Sequence, residues 1–416
     1  MFKYVWMISK RIAFKASYRL VPLLHMRLVR KFEAGSRIKV AFVVFQESIW
    51  KTDTLFKVML EDPNFEPFII AVEPRSIDND FCATVRHFEV KGYQTKYIAK
   101  DEGLPGVLEI FRSTAPDIVF IPNHYQQSFP GLYRFIFRNF LTCYVPYSLN
   151  VSHYRNDQDQ YNSHVHNLVW KNYAPHVIAL ETFRRVQSIR GANVVVTGYP
   201  SLESLVKRDQ VHGIWKDNGR KRVIWAPHHT IDMPELPYAN FLKYAEFFRI
   251  LAIKYSETIS WAFKPHPILR GKLEAHIDWG KARTDEYYRF WDEQDYTQLE
   301  VGAYEDLFKS SDAMIHDSGS FIAEYLYVDK PVMFLWSSST ISESFNDYGK
   351  QALIANEHGD NIEDIEKFLE DLLENRDAGR QKRANFLRRF QIDEGGSSPS
   401  EKIMLDLKNH LMKGKT

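Results

Sequence analysis

Cysteine is nearly absent: Cys82 and Cys143 are the only two in 416 residues. Two thiols make neither a disulfide framework nor a cysteine metal site, and such usage fits a reducing cytosol. Long hydrophobic runs are missing too, since no apolar stretch approaches the roughly 20 residues that cross a bilayer. The first residues lack the uninterrupted apolar core and cleavage site of a secretory signal. Net charge is small, with 54 Lys and Arg against 53 Asp and Glu. That balance excludes the general charge pattern of a nucleic-acid binder. What the chain does have is 44% hydrophobic residues, with 22 Tyr and 29 Phe among them. This is a globular composition, and a chain of this length divides most naturally into two domains. So many aromatic rings suit stacking on a nucleotide or a sugar, although filling cores is their commoner use.

The even charge balance breaks down at one place. Up to residue 34, Lys3, Lys10, Arg11, Lys15, Arg19, Arg27, Arg30 and Lys31 face one acid, Glu33. Trp6, Phe14, Leu20, Leu23 and Leu24 are interleaved with them, and Pro22 divides the stretch into two helical pieces. A basic amphipathic segment of this kind reads as an interfacial anchor on the inner-membrane surface. The competing reading is a helix packed on the body with a solvated basic face. Four parts are expected: residues 1–34 as this segment, 35–206 and 207–399 as two Rossmann-like domains, and 400–416 as a final helix. The charged stretch from Lys207 to Arg222, with two glycines, marks the junction between the domains.

From Arg37 onward, buried runs alternate with helical patterns, the signature of a doubly wound parallel sheet. Strands are expected at Ile38 to Phe45, Phe68 to Val72, Thr95 to Ile98, Ile118 to Pro122, Thr142 to Pro146, Val177 to Leu180 and Val194 to Thr197. The pattern restarts with strands at Val223 to Ala226, Trp261 to Lys264 and Ala313 to His316. The last is followed by a small-residue turn, a short helix to about Val328, and a further strand opened by Pro331. The resulting fold class is α/β, with two doubly wound domains facing across a cleft.

Three strand ends in the second half carry unusual residues. They are Ala226-Pro227-His228-His229-Thr230, Lys264-Pro265-His266-Pro267 and Asp317-Ser318-Gly319-Ser320. In a parallel sheet all three emerge at the same edge, where such sheets bind ligands. Imidazoles, a lysine and hydroxyls around a helix start can clamp a diphosphate by opposing the charge that develops on a leaving nucleotide. Glu324, one helical turn after Ser320, is placed to accept hydrogen bonds from ribose hydroxyls. The plainer reading is that Asp317 and Ser318 only cap the helix. Gathering His228, His229 and His266 on zinc is a third reading. No recognised ligand spacing accompanies them, so no metal site is expected.

The quoted stretches, together with Thr-Gly-Tyr-Pro-Ser-Leu-Glu at Thr197, resemble the CDP-glycerol glycerophosphotransferase family in content and order. These are the teichoic-acid and capsule polymerases and primases, and the likeness spans roughly residues 115–390. Asp317-Ser318-Gly319-Ser320 is a variant of that family's Asp-Tyr-Ser-Ser. It is also similar to the corresponding turn of UDP-GlcNAc 2-epimerase, whose serine and glutamate hold diphosphate and ribose. The resemblance implies a GT-B fold and a CDP-activated polyol-phosphate donor, with no separate cofactor. It further implies a hydroxyl acceptor on a lipid-linked cell-surface glycan, on the cytoplasmic face of the membrane. His266 matches the family histidine of the His-Pro motif. His229 and Thr230 replace a Trp-Arg pair, and the residues at hand to take over the arginine's charge are His228 or His229, when protonated, and Lys264. The family's acceptor-side His-Gly-Thr is missing. His153 is the preferred general base, and His124 after Ile118 to Pro122 is the second choice. Two other readings are a GT-B glycosyltransferase using a nucleotide sugar and an inert membrane-bound partner of the same fold. Release of CMP or of UDP from trial donors separates the enzyme readings.

Overall fold

A computed structural model describes residues 20–32, 36–74, 81–125, 131–153, 157–207, 213–216, 219–234 and 236–412. Much of the basic N-terminal segment, and parts of the expected junction and of the loop after Pro146, lie outside these residues. Residues 20–31 of that segment form a helix. Val21, His25 and Phe32 are buried there, whereas Leu20, Leu23 and Met26 are exposed. No helix among the described residues is long and apolar enough to cross a membrane.

The chain builds two sheets, parallel throughout their paired strands. The first holds β1 (Ile38–Val44), β2 (Phe65–Val72), β3 (Thr95–Ile98), β4 (Ile118–Ile121), β5 (Leu141–Tyr144), β6 (Lys171–Ala174) and β7 (Val194–Val196), in the order β3-β2-β1-β4-β5-β6-β7. The second holds β8 (Lys221–Ala226), β9 (Ile259–Phe263), β10 (Thr297–Leu299), β11 (Ala313–His316), β12 (Val332–Leu335) and β13 (Glu357–Gly359), in the order β10-β9-β8-β11-β12-β13. Helices cover both faces of such sheets, so their strands must be apolar on both sides. In β1 every residue except Lys39 is buried, and β9 and β11 are buried throughout. In both sheets successive strands are laid down in one direction and then in the other. The reversal falls between β1 and β4 in the first sheet and between β8 and β11 in the second.

The second sheet is packed around aromatic rings. Trp225 of β8 stacks on Phe248 at 4.2 Å between ring centroids and on Phe263 at 5.1 Å. Trp261, Trp291 and Tyr287 close the same cluster. Each aromatic pair adds about 0.5–1.5 kcal/mol beyond the area it buries.

The chain divides into two compact units that are not consecutive in sequence. One gathers the described residues of Met1–Ser148, Arg155–Glu203 and Ile392–Thr416; the other gathers Leu149–Tyr154 and Ser204–Gln391. Within the first, the helix Pro399–Leu411 packs on the helix Asp53–Glu61. Its Ser400 amide donates to Glu203 Oε1 at 2.7 Å, and Lys408 pairs with Asp62. Within the second, residues 149–153 form a strap. Ser152 makes an antiparallel bridge to Phe345. The His153 amide donates to the Ser344 carbonyl at 3.0 Å, and the Asn346 amide to the Val151 carbonyl at 2.9 Å. Gly349 leaves room for that strap, because a Cβ on it would sit 2.1 Å from the Val151 oxygen.

One sequence expectation changes. Val177 to Leu180 is helix, the start of Val177–Val186, and the strand lies earlier at Lys171–Ala174. The His176 side chain accepts the Ala179 amide at 3.1 Å and so caps the helix. The true strand hides its identity because Lys171 and Asn172 are polar yet buried. Lys171 is satisfied by Asp406 and His410 of the C-terminal helix.

Candidate functional site

The strand ends of β8, β9 and β11 are stitched together by backbone amides and the Asp317 carboxylate. The His266 amide, beyond β9, donates to the Pro227 carbonyl at 3.1 Å. The His228 amide, beyond β8, donates to Asp317 Oδ1 at 2.6 Å. The second carboxylate oxygen, Oδ2, accepts the Asn240 amide at 2.5 Å. The crevice between β8 and β11 is the topological switch point of this sheet, where open α/β sheets take their ligands.

Three imidazoles meet at this edge. Ring centroids of His229 and His266 are 4.2 Å apart, those of His228 and His229 4.4 Å, and those of His228 and His266 5.1 Å. One ligand-capable nitrogen from each lies within 4.8 Å of the others, so the spacing itself would admit a cation. The hydrogen bonds favour an anion instead. His266 Nδ1 accepts the Ile268 amide at 3.2 Å. Its neutral ring therefore carries its proton on Nε2 and presents a donor, whereas a metal-bound histidine normally donates from its far nitrogen. His228 Nδ1 lies 3.0 Å from Thr230 Oγ1, and His229 Nδ1 is buried with no partner.

Burial sets the charge state of the cluster. It pushes His266 down to about 3, and repulsion from His229 when protonated, from Lys264 and from Lys272 adds to the effect. His229 falls to about 4 through burial and Lys272. His228 lies well below its usual value, from burial first and then from His229 and His266. Burial thus disfavours the charged form of each of these histidines in the free protein. Neutral rings of this kind can act as hydrogen-bond donors or acceptors. The fixed cation common to all three is Lys272. It lies on the helix Leu269–Ala275, just beyond the Lys-Pro-His-Pro turn. Sequence reading passed over it, and its signal was a lysine one helical turn into the element that follows a strand-end motif.

The remaining residues of the β11 turn have separate tasks. The Ser318 amide donates to His316 Nδ1 at 3.1 Å, and His316 Nε2 faces Asn356 Oδ1 at 3.2 Å. Gly319 admits the Tyr238 ring, whose edge would lie 3.3 Å from an added Cβ. Ser320 precedes Phe321–Glu324, a single helical turn that continues as the 3-10 turn Tyr325–Val328. So short a helix has little macrodipole, and side chains and free amides must carry the recognition of an anion. Glu324 is buried and accepts the Tyr304 hydroxyl at 2.5 Å. Lys264 is buried with its ammonium on the Gly302 carbonyl at 2.6 Å. Tyr304, Asn240 and Tyr238 were not singled out by sequence, because each acts across a long stretch of chain.

The two candidate bases differ sharply. His153 is half-buried on the strap of the second unit. His124 lies in the first unit at the end of β4, with Nδ1 3.2 Å from the Tyr144 hydroxyl and Nε2 sealed from solvent. The rings of Tyr125, Tyr147 and His166 surround it, and burial lowers it to about 4. A weak base whose second nitrogen is closed off is poorly placed to meet an acceptor hydroxyl.

Solved structures resemble this fold along almost its whole length. The wall teichoic acid polymerase TagF superposes with a TM-score of 0.59 at 13% identity, covering 98% of this chain and 96% of that one. A TagF structure soaked with CDPG gives 0.58 at 12% identity, covering 99% and 98%. The UDP-GlcNAc 2-epimerase from Neisseria meningitidis, bound to UDP-GlcNAc, gives 0.56 at 15% identity, covering 90% and 100%. At such identities the likeness is one of fold, two Rossmann-like domains of the GT-B kind. No curated protein matches by sequence. The family model of CDP-glycerol:poly(glycerophosphate) glycerophosphotransferases matches residues 147–404, more than half of the chain and all three strand-end motifs, and the protein therefore belongs to that family of transferases.

Proposed function

We propose that the protein transfers a glycerol-phosphate-type group from a CDP-activated polyol donor to a hydroxyl of a lipid-linked cell-surface glycan. The observation that carries this reading is the convergence of His228, His229 and His266 at the switch point of the second sheet, with a donor nitrogen on His266. The donor diphosphate takes hydrogen bonds from these rings and from Ser318 and Ser320, and Lys272 adds a fixed charge. Glu324, oriented by Tyr304, receives the ribose hydroxyls. His153 takes the proton of the acceptor hydroxyl as its oxygen attacks the polyol-bearing phosphorus, and CMP leaves. Positioning and electrostatics supply most of the acceleration in such phosphoryl chemistry. The exposed Leu20, Leu23 and Met26 beside Arg27, Arg30 and Lys31 support a peripheral seat on the cytoplasmic leaflet. There an anionic surface attracts such cations.

The test is CMP release from CDP-glycerol by purified protein and by His266→Ala. Loss of one transition-state donor should lower turnover by about 10²-fold or more. Near-normal turnover in the variant removes His266 from the mechanism. Release of UDP from a UDP-sugar, with no CMP from CDP-polyols, moves the protein to the nucleotide-sugar reading.

A further inference from the structure

The segment between β8 and the helix Phe241–Lys254 carries His228, His229, Thr230 and Tyr238, and its described residues contain no regular secondary structure. A segment of that kind holds two imidazoles in place only if something fixes both of its ends. The two amides bound by Asp317 are those ends. His228 opens the loop and donates to Oδ1; Asn240 closes it and donates to Oδ2. The carboxylate is 1% exposed, and among the described residues no lysine or arginine forms an ion pair with it. Both oxygens therefore serve backbone N–H groups, and the side chain is turned to the loop.

We propose that Asp317 is a positioning residue for the donor site: one carboxylate clasps both ends of the 228–240 loop and thereby sets where the His228 and His229 rings stand. The assignment rests on the reading of those rings as the diphosphate site. It departs from the plainer sequence reading, in which Asp317 caps the helix that follows. The side chain takes no part in capping that helix start, and its two oxygens accept instead from His228, beyond β8, and from Asn240, which precedes the helix Phe241–Lys254. Neighbouring contacts fit the assignment. Asn240 Nδ2 donates to the Tyr238 and Leu335 carbonyls, at 3.0 and 3.1 Å, which braces the closing end of the loop. Gly319, two residues after Asp317, gives Tyr238 room to lie over the turn.

Burial raises Asp317 to about 7 while the amides of Asn240 and His228 favour its charged form, and accepting both amides takes the ionised carboxylate. An asparagine of the same shape has one acceptor and one donor, so it keeps one amide and repels the other. Asp317→Asn should therefore free one end of the loop without opening a cavity. Displacing a binding group by about 1 Å costs on the order of 10²-fold in rate, and kcat/KM for CDP-glycerol should fall by about 10- to 100-fold.

A titration of the histidine rings by NMR, without donor, separates this role from a charge effect. Removing a negative charge lowers the ionisation of nearby imidazoles. Releasing the loop hydrates His228 and His229 and raises them towards 6.5. A rise of one pH unit or more in Asp317→Asn supports the clasp, and a fall or no change overturns it. Hydrogen exchange on the unaltered protein gives a second measure that needs no folded variant. The amides of His228 and Asn240 should exchange at least tenfold more slowly than those of Ile231 and Asp232 inside the loop, and equal rates overturn the proposal. If the rings shift as expected while CDP-glycerol turnover stays normal, the clasp stands and the donor-site reading fails.

Discussion

Gly349→Ala sets two well-known effects against each other, and the structure says which one wins. Gly349 lies in the first turn of the helix Asp347–Ala355 and its φ is not positive, so helix propensity alone predicts a gain of about 1 kcal/mol. The new methyl would, however, lie 2.1 Å from the Val151 oxygen, 3.0 Å from its carbonyl carbon and 3.0 Å from the Phe345 ring. The strap must retreat by roughly 1 Å to restore van der Waals contact. Overpacking of this kind costs about 1–3 kcal/mol, and the Asn346–Val151 hydrogen bond adds about 1 kcal/mol when lost. The balance is a destabilisation of about 2 kcal/mol. Hydrogen exchange at the His153 amide reads it locally, since that amide is tied to Ser344 by the same strap. Its exchange should quicken by about thirty-fold, and the urea midpoint should fall. Unchanged exchange with an equal or higher midpoint would show that the strap yields freely, and the reasoning would be refuted.

Donor binding should take up protons. His229 and His266 are neutral in the free protein, at about 4 and about 3, and a bound diphosphate favours their charged forms. CDP-glycerol should therefore bind more tightly as pH falls from 8 to 6. Calorimetry in two buffers of different ionisation heat should register uptake, and zero uptake with a flat profile counts against it. Acid should also weaken the fold. Burial lowers His124 and His316 to about 4 and His176 to about 3. Between pH 6.5 and 4 the unfolded chain then binds more protons than the native one, and stability falls as pH drops through that window. Each histidine contributes up to about 1.4 kcal/mol per pH unit, and urea midpoints that stay level across the window would contradict this. Arg383 is buried, with Nη1 on Asp377 Oδ1 at 2.9 Å and Nη2 on Oδ2 at 2.5 Å. Arg383→Leu strands that partly exposed carboxylate and should cost about 2–3 kcal/mol; a loss under about 0.5 kcal/mol in urea would show that the fork is idle.

The fold was legible wherever burial left its mark as apolar runs. Ile38–Val44 and Ala313–His316 are such runs, and the small-residue turn after His316 sits at the sheet edge that a βαβ unit requires. Lys171–Ala174 was not legible, because its polar side chains are satisfied by residues more than two hundred positions away. The strands Thr297–Leu299 and Glu357–Gly359 escaped for the related reason that polar residues fill most of each, whereas three valines marked Val194–Val196. At the site, the three histidines could be named from their strand ends alone. Their neutrality could not, since it comes from burial and from Lys272. Nor could the task of Asp317, since its partners at His228 and Asn240 lie on segments that only the folded sheet brings to it.

The order in which the chain leaves the ribosome bears on how it is built. The first unit draws its last helix, Pro399–Leu411, from the far end of the sequence, and that helix lies on Asp53–Glu61, near the beginning. The early sheet thus waits, with the seat of that helix uncovered, while nearly two hundred residues of the other unit are synthesised. A truncated nascent chain would leave bare the side of Asp53–Glu61 on which Pro399–Leu411 packs, and a unit left incomplete in this way is prone to misassembly.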